Sequence, residues 1–146
     1  ADVRHYHRLG KRSSFAVRYM GLHSRGDVPE FFPLGGSWTL RGYDFRSLWG
    51  RNLVLANHEL RYPLLDRFVL AFPFGHIDLS ALRGALFVDA GNAWNDDFGD
   101  WRGSIGGGAR LGLGGVFVFR LDVSRRTDFK AIENHNHWDF FFGWDY

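Results

Sequence analysis

The sequence predicts an all-β fold, specifically an antiparallel transmembrane β-barrel with about seven or eight strands in this chain. Apolar and polar residues alternate with a period of two in most segments, which is the pattern of a strand with two different faces. Aromatic residues make up 18% of the chain, and 19 glycines accompany only 4 prolines. This composition suits strands joined by turns better than a bundle of helices.

Composition also excludes several classes of protein. The chain has 146 residues without an evident linker or repeat, so we expect one barrel domain over residues 1–146. It holds no cysteine, which excludes disulfides and thiolate metal sites. The net charge of +2 and the scattered basic residues argue against a nucleic-acid partner. The chain begins at Ala1, as a processed secreted protein or an excised domain would.

The first two strands are expected near the N-terminus. Residues 2–9 alternate only weakly, whereas residues 13–22 place apolar side chains on one face and Arg18 on the other. A long glycine-rich loop over residues 24–51 follows them.

The next two predicted strands each carry an acidic residue on their polar face. Residues 52–62 place Glu59 opposite apolar side chains, and residues 85–94 do the same with Asp89. The segment between them, residues 63–82, is apolar and interrupted by two prolines. We therefore predict an irregular link there, which could include a short helix.

Three more strands are predicted over residues 104–113, 116–124 and 138–146. The first two alternate apolar residues with glycine, serine, arginine and aspartate. In the last, "WDFFFGWDY", every second residue is aromatic and the residues between them form the other face. The aromatic set is Trp138, Phe140, Phe142, Trp144 and Tyr146.

The polar face is assigned to the interior of a membrane barrel rather than to water. It carries many glycines, which weaken a strand but leave room for an inserted segment. These glycines are Gly91, Gly106, Gly108, Gly112 and Gly143. Large aromatic residues near strand ends also suit the aromatic girdles of outer-membrane barrels. A soluble barrel with its apolar face inward is the less favoured alternative.

One arginine stands out in the long loop. The stretch "LGGSWTLRGY" places Arg41 between Leu40 and Gly42, shortly after a glycine pair. If the loop folds into the lumen, the guanidinium could reach Glu59 and Asp89, since its planar fork suits carboxylates. The alternative is an ordinary solvated arginine on a surface loop, and the residues alone leave both open.

Four sequence blocks, in order, resemble the outer-membrane protein assembly and two-partner-secretion translocator superfamily, also called the bacterial surface antigen family. The blocks are "GGSWTLRGYDF", "NHELRYPL", "GALFVDAGNAW" and a closing aromatic strand with a glycine three residues from its end. The resemblance covers nearly the whole chain, as the C-terminal half of the family's barrel or as a minimal member.

The resemblance implies a larger barrel whose long extracellular loop tucks inside, where the loop arginine binds acidic residues on neighbouring strands. It also implies a C-terminal strand that serves as a sorting signal and ends in the periplasm. Carried over, the loop signature is Gly35, Gly36, Arg41, Gly42 and Tyr43, with Glu59 and Asp89 as acidic partners. The sorting strand comprises Trp138, Phe140, Phe142, Gly143, Trp144 and Tyr146.

The resemblance further implies insertion or transport of proteins at a bacterial-type outer membrane, without a cofactor. The alternative is a structural or pore-type barrel that keeps the fold and lacks translocase activity. Expected partners are the lipid bilayer and unfolded outer-membrane or secreted proteins. With the long loop outside the cell and the C-terminus in the periplasm, the first of seven spanning strands would begin outside the cell. Either residues 2–9 do not span, or the chain is cut from a larger barrel, or further copies complete the barrel.

Other chemical sites are less favoured. His135 and His137, with Asp128 near by, form a weak metal pattern that suits a polar loop better. "GGGAR" lies within a strand pattern rather than before a helix, so we do not interpret it as a phosphate loop. No catalytic signature is present, and we expect no enzyme activity. The basic lumen residues Arg18, Arg61, Arg110 and Arg120 are expected to pair with Glu59, Asp89, Asp122, Asp139 and Asp145 inside a plugged barrel. An anion path lined by these arginines is the less favoured alternative.

Overall fold

The computed structural model describes residues 1–66, 68–113 and 117–144. All of the strand pairs in these ranges are antiparallel. The strands are β1 (Asp2–Arg8), β2 (Ser14–His23), β3 (Phe32–Leu34), β4 (Leu48–Gly50), β5 (Asn52–Leu65), β6 (Phe68–Phe72), β7 (Gly75–Trp94), β8 (Arg102–Leu113), β9 (Phe117–Thr127) and β10 (His137–Trp144). In these described ranges, no helix has the length and apolar character required to cross a bilayer. The all-β prediction is confirmed.

The strands form one large open sheet and one small hairpin. The large sheet follows the order β1-β2-β5-β7-β8-β9-β10, and β6 pairs with the first part of β7. The hairpin of β3 and β4 lies within the predicted loop 24–51. Among the described residues, β1 and β10 have no strand on their outer sides. The sheet of this chain is therefore not closed into a barrel.

The prediction of an irregular link over residues 63–82 is wrong. This segment continues β5, forms β6 and begins β7, and no described residue in it is helical. Its two prolines occupy places where a strand tolerates a missing N–H. Pro63 lies beside a register shift in the β5–β7 ladder, and Pro73 lies in the turn between β6 and β7.

The register places the polar residues of successive strands on one face. Asn57 of β5 lies opposite Asp89 of β7, which in turn lies opposite Ser104 of β8. Directly opposed residues of an antiparallel pair point to the same side of the sheet. The period-two pattern of each strand therefore brings the polar residues of neighbouring strands together on one inner face.

The two faces have the reverse of the usual burial pattern for a soluble sheet. On the inner face Asp89 and Asp122 are completely buried. On the outer face large apolar side chains are exposed, and the exposed fraction reaches 66% for both Trp138 and Phe140. Residues 35–47, here called the inserted loop, lie over the inner face, where Leu40 and Arg41 contact its side chains.

Candidate functional site

The inserted loop begins with a glycine pair that its backbone conformation requires. Gly35 and Gly36 have φ angles of 116° and 100°, which side chains of L-residues rarely permit. A Cβ on Gly35 would also come within 2.9 Å of Ser47 Oγ. The N–H of Gly36 donates to the carbonyl of Leu40 at 3.2 Å, and this bond closes the turn that carries Arg41 inward.

Two leucines anchor the loop to the sheet. Leu34 and Leu40 are completely buried and pack with Leu53 and Leu55 on the inner face of β5. Complete burial of a leucine side chain contributes about 1.5–3 kcal/mol. Because Leu40 directly precedes Arg41, this apolar contact delivers the arginine to the polar part of the inner face.

Arg41 forms a two-pronged ion pair with Asp89. Its Nε donates to Asp89 Oδ2 at 2.6 Å, and its Nη2 donates to Oδ1 at 2.7 Å. Its Nη1 also donates to Glu59 Oε2. Arg41 is 4% exposed and Glu59 is 6% exposed, so water has little access to either ion pair. The sequence predicted these two partners, and the structure brings all three residues together.

Further groups complete the surroundings of Arg41 and were not predicted. Its guanidinium lies 3.5 Å from the centroid of the Phe87 ring, a cation–π arrangement. Asn57 Nδ2 donates to Asp89 Oδ1 at 2.8 Å and to the carbonyl of Thr39 at 2.7 Å. Asn57 and Phe87 each sit two residues from a predicted acid on the same face, and this spacing was the available signal.

The carboxylate partners of Arg41 stabilise its positive charge, which burial alone would disfavour. Burial alone lowers the pKa of the guanidinium, but the hydrogen bonds to Asp89 and the charges of Asp89 and Glu59 raise it above its ordinary value. Arg41 therefore remains a cation in this site. Burial also raises the pKa of the Tyr43 hydroxyl above its ordinary value.

Side chains from distant strands hold the backbone of the inserted loop. Asp139 of β10 accepts hydrogen bonds from the N–H of Gly42 and from Ser37 Oγ, both at 3.2 Å. Arg126 of β9 donates to the carbonyl of Gly42 at 2.6 Å. Arg120 of β9 donates to the carbonyl of Ser37 at 3.1 Å. With Arg18 of β2 donating to the carbonyl of Trp38 at 3.0 Å, the loop is bonded to five strands.

Comparison with known families identifies the superfamily. A family model described as the Omp85 superfamily domain matches residues 1–144. The chain belongs to the Omp85 superfamily. At the coarse level this membership assigns it to the outer membrane and to the proteins that assemble or translocate other proteins there. No curated protein and no solved structure matches the chain significantly.

The small residues of this Omp85 sheet lie where contacts are tight. A Cβ on Gly106 would meet the Phe87 ring at 2.6 Å, and a Cβ on Gly108 would collide with the carboxylate of Asp122. A Cβ on Gly91 would lie 3.4 Å from Leu34 Cδ2. Gly106 and Gly108 thus leave room first for Phe87 and Asp122, not for the loop backbone that the sequence-based interpretation placed above them.

Three other glycines have different surroundings. Gly42, in the loop signature, has a φ of 78°, and a Cβ there would lie 2.6 Å from Ser124 Oγ. Gly112 faces the cavity below the loop together with Val118. On Gly143 an added Cβ would meet the ring of Phe141, which itself packs edge-on against Trp38 of the loop with centroids 5.0 Å apart.

The predicted sorting strand of this Omp85 chain forms β10. Trp138, Phe140 and Phe142 point outward and are exposed. Phe142 packs against the ring of Phe119 on β9, with centroids 4.6 Å apart. Trp144 is the last residue of β10, and Tyr146 lies outside the described residues. Nothing in this arrangement tests the sorting role, which stays a prediction.

The predicted pairing of basic lumen residues needs two corrections. Arg61 and Arg110 both contact Glu59, and Arg120 contacts Asp122. Arg18, however, pairs with Asp2 of β1 at 2.9 Å, because β1 lies directly beside β2. Asp139 accepts hydrogen bonds from Ser37 Oγ and from the N–H of Gly42 in the loop instead of pairing with an arginine side chain. Asp145 lies outside the described residues.

The loop histidines make local contacts. The rings of His135 and His137 meet edge-on with centroids 4.9 Å apart. His137 Nε2 lies 3.1 Å from Glu133 Oε2, and this hydrogen bond lowers the pKa of the Glu133 carboxyl. Within the described parts of the chain, no three His, Asp or Glu side chains are grouped as metal ligands would be.

Proposed function

We propose that this chain is part of an outer-membrane β-barrel that inserts or transports proteins, with its C-terminus in the periplasm. The observation that carries the proposal is the ion pairing of Arg41, in the loop of an Omp85 superfamily chain, with the buried carboxylates of Glu59 and Asp89. These residues lie on the polar inner side of a sheet whose outer side exposes large apolar residues. An apolar outer face suits lipid, and a charged inner face suits the lumen of a barrel. The proposed role includes no enzymatic step and no cofactor.

The barrel needs more strands than this sheet supplies. A closed barrel of about eight strands has an interior that side chains alone fill. Here the inner face also carries the inserted loop, with Leu34, Leu40 and Arg41 packed against it. The free edges of β1 and β10 must also find partners, because an unpaired ladder is unfavourable in lipid. We propose that a second copy or further strands outside residues 1–146 complete the barrel.

Engineered disulfides test who closes the barrel. The chain has no native cysteine, so cysteines placed at Tyr6 of β1 and Phe141 of β10 are the only ones present. If two copies complete one barrel, oxidation should give a crosslinked dimer, and the native mass in detergent should be twice the mass of the chain. A monomeric mass and no crosslink between chains would refute closure by a second copy.

The inserted loop fills the lumen in the proposed state. Transport through the barrel then requires the loop to leave, which breaks its bonds to five strands. The number of these bonds is also the specific observation that favours the second candidate, a structural barrel whose lumen stays blocked. The two candidates differ in whether the loop moves and in whether client proteins fold faster.

A reconstituted assay separates the candidates. Vesicles that contain the refolded chain should accelerate the membrane insertion of an unfolded outer-membrane barrel several-fold over empty vesicles. Arg41→Met should change this rate and raise ion conductance, because it frees the loop. Arg46→Met is the matched control, since Arg46 lies on the same loop and is exposed. No acceleration by a wild-type preparation whose closure the crosslink has established would refute the insertase proposal and leave the structural barrel.

A further inference from the structure

Three arginines lie side by side across three adjacent strands. Arg83 of β7 is the direct cross-strand partner of Arg110 of β8, and Arg110 is the direct partner of Arg120 of β9. Directly opposed residues have Cβ atoms about 4.5–5.5 Å apart, and like charges in this position destabilise a sheet. This arginine row therefore requires negative charge from elsewhere.

Among the described residues, the carboxylates beside this row supply too little negative charge. Arg120 pairs with Asp122, and Arg110 pairs with Glu59 at 2.9 Å. Glu59, however, is shared with Arg41 and Arg61. Within the described residues Arg83 has no hydrogen-bond or ion-pair partner, and the buried Nη1 of Arg110 has no hydrogen-bond partner.

The same imbalance holds for the whole cavity beside the arginine row. Seven arginines line it, and four carboxylates pair with them, which leaves three positive charges unbalanced. The arginines are Arg4, Arg18, Arg41, Arg61, Arg83, Arg110 and Arg120. The carboxylates are Asp2, Glu59, Asp89 and Asp122.

The cavity has the size of a ligand site. Its volume is about 600 Å³. Loop residues 37–39 line one side of it, and Gly112 of β8 and Val118 of β9 line it near the ends of those strands. Trp38 of the loop and Phe141 of β10 contribute aromatic walls. Sites for small molecules usually have volumes of roughly 300–1,000 Å³ and combine apolar walls with a few polar groups.

We propose that the arginine row binds a phosphate-type oxyanion between Arg83 and Arg110. Such a group supplies two negative charges and several acceptor oxygens, which match the guanidinium forks better than a single carboxylate does. It also gives Arg110 Nη1 an acceptor and removes the repulsion along the row. The oxyanion is either free in solution or the headgroup of an anionic phospholipid. The proposal is independent of whether the chain inserts proteins.

Calorimetry with pyrophosphate tests the site. The full chain is refolded in an uncharged detergent in phosphate-free buffer and titrated with pyrophosphate. We expect saturable binding that Arg83→Met weakens at least tenfold and that Arg83→Lys weakens less, because lysine keeps the charge and loses the fork. Arg83 is exposed, so we expect its replacement to leave the fold intact. Arg125→Met is the matched control, since Arg125 is exposed on β9 and does not line the cavity.

Three results would overturn the proposal. These are the absence of saturable binding, equal weakening by Arg83→Met and Arg125→Met, and equal heats from chloride at the same ionic strength. Native mass spectrometry then identifies the source of the oxyanion. Retention of phosphatidic acid by the wild-type chain but not by Arg83→Met indicates a lipid headgroup. Pyrophosphate binding without lipid retention indicates a free oxyanion.

Discussion

Replacing Arg41 with methionine should destabilise the fold by about 3–5 kcal/mol, the range for a buried charge that loses its partner. Methionine keeps most of the apolar stem, so the change removes mainly the charge, the donors and the cation–π contact with Phe87. Asp89 is completely buried and loses both side-chain hydrogen bonds from Arg41. Each hydrogen bond to a charged group contributes about 1.5–3 kcal/mol, which gives a similar total for the two.

The loss should fall on Asp89 rather than on Glu59. Glu59 keeps Arg61 and Arg110 as partners when Arg41 is removed. Asp89 keeps the side chain of Asn57 and a longer bond of 3.3 Å from the backbone of residue 41. Adding Asp89→Asn to Arg41→Met removes the unpaired carboxylate, so the double variant should regain about 0.5–3 kcal/mol of the loss.

Two measurements report the result. Urea unfolding in detergent, followed by tryptophan fluorescence, gives the free energy of unfolding, and limited proteolysis reports release of the inserted loop. Arg46→Met, on the same loop and exposed, should change stability by at most about 1 kcal/mol, since an exposed cation–π contact contributes no more. The reasoning is refuted if Arg41→Met loses less than about 1 kcal/mol without loop release, or if the double variant is no more stable than Arg41→Met.

Three further substitutions test other parts of the site. Gly42→Ala should destabilise more than Gly99→Ala, because both glycines have positive φ but only Gly42 has a neighbour within 4 Å; unfolding free energies should differ by about 1 kcal/mol or more. Gly108→Val should displace Asp122, whose partner Arg120 holds the carbonyl of Ser37, and so make the inserted loop sensitive to protease. Gly107→Val, on the outer face, should leave the loop protected. Tyr146→Lys should change the stability of the refolded barrel by no more than about 1 kcal/mol, yet abolish its insertion in cells. Phe142→Leu should insert normally, and normal insertion of both variants would exclude the sorting role.

The inner face could be predicted because strand alternation is a local rule. Once residues 52–62 and 85–94 are recognised as strands, parity alone puts Glu59 and Asp89 on the same face. Antiparallel neighbours then bring the two acids close to one another. The residues alone left the loop arginine either solvated or paired, and the resemblance to the translocator superfamily favoured its entry into the lumen. Local sequence rules were thus sufficient for the acidic face of the site, but not for the position of Arg41 on it.

The rest of the site depends on contacts between residues far apart in sequence. Asp139 binds the N–H of Gly42 across 97 residues of chain, and nothing near either residue indicates the partner. The path of the loop is set by Leu34 and Leu40 packing on β5, which alternation on one strand does not reveal. The hairpin of β6 was missed for another reason: its prolines were interpreted as strand breakers, although they occupy a register shift and a turn.

The distribution of satisfied and unsatisfied groups indicates where this fold is completed. Near the inserted loop, Arg41 and the loop backbone bond to side chains from five strands. Among the described residues only a few buried atoms of this inner face, such as Asp122 Oδ1 and Ser124 Oγ, have no hydrogen-bond partner. The backbone edges of β1 and β10 have no such partners among the described residues. If added strands complete the barrel as proposed, they join at these two edges and need not contribute to the ion pairs of Arg41. Variants at Arg41 should accordingly alter loop release without altering the number of chains per barrel, which native mass in detergent can verify.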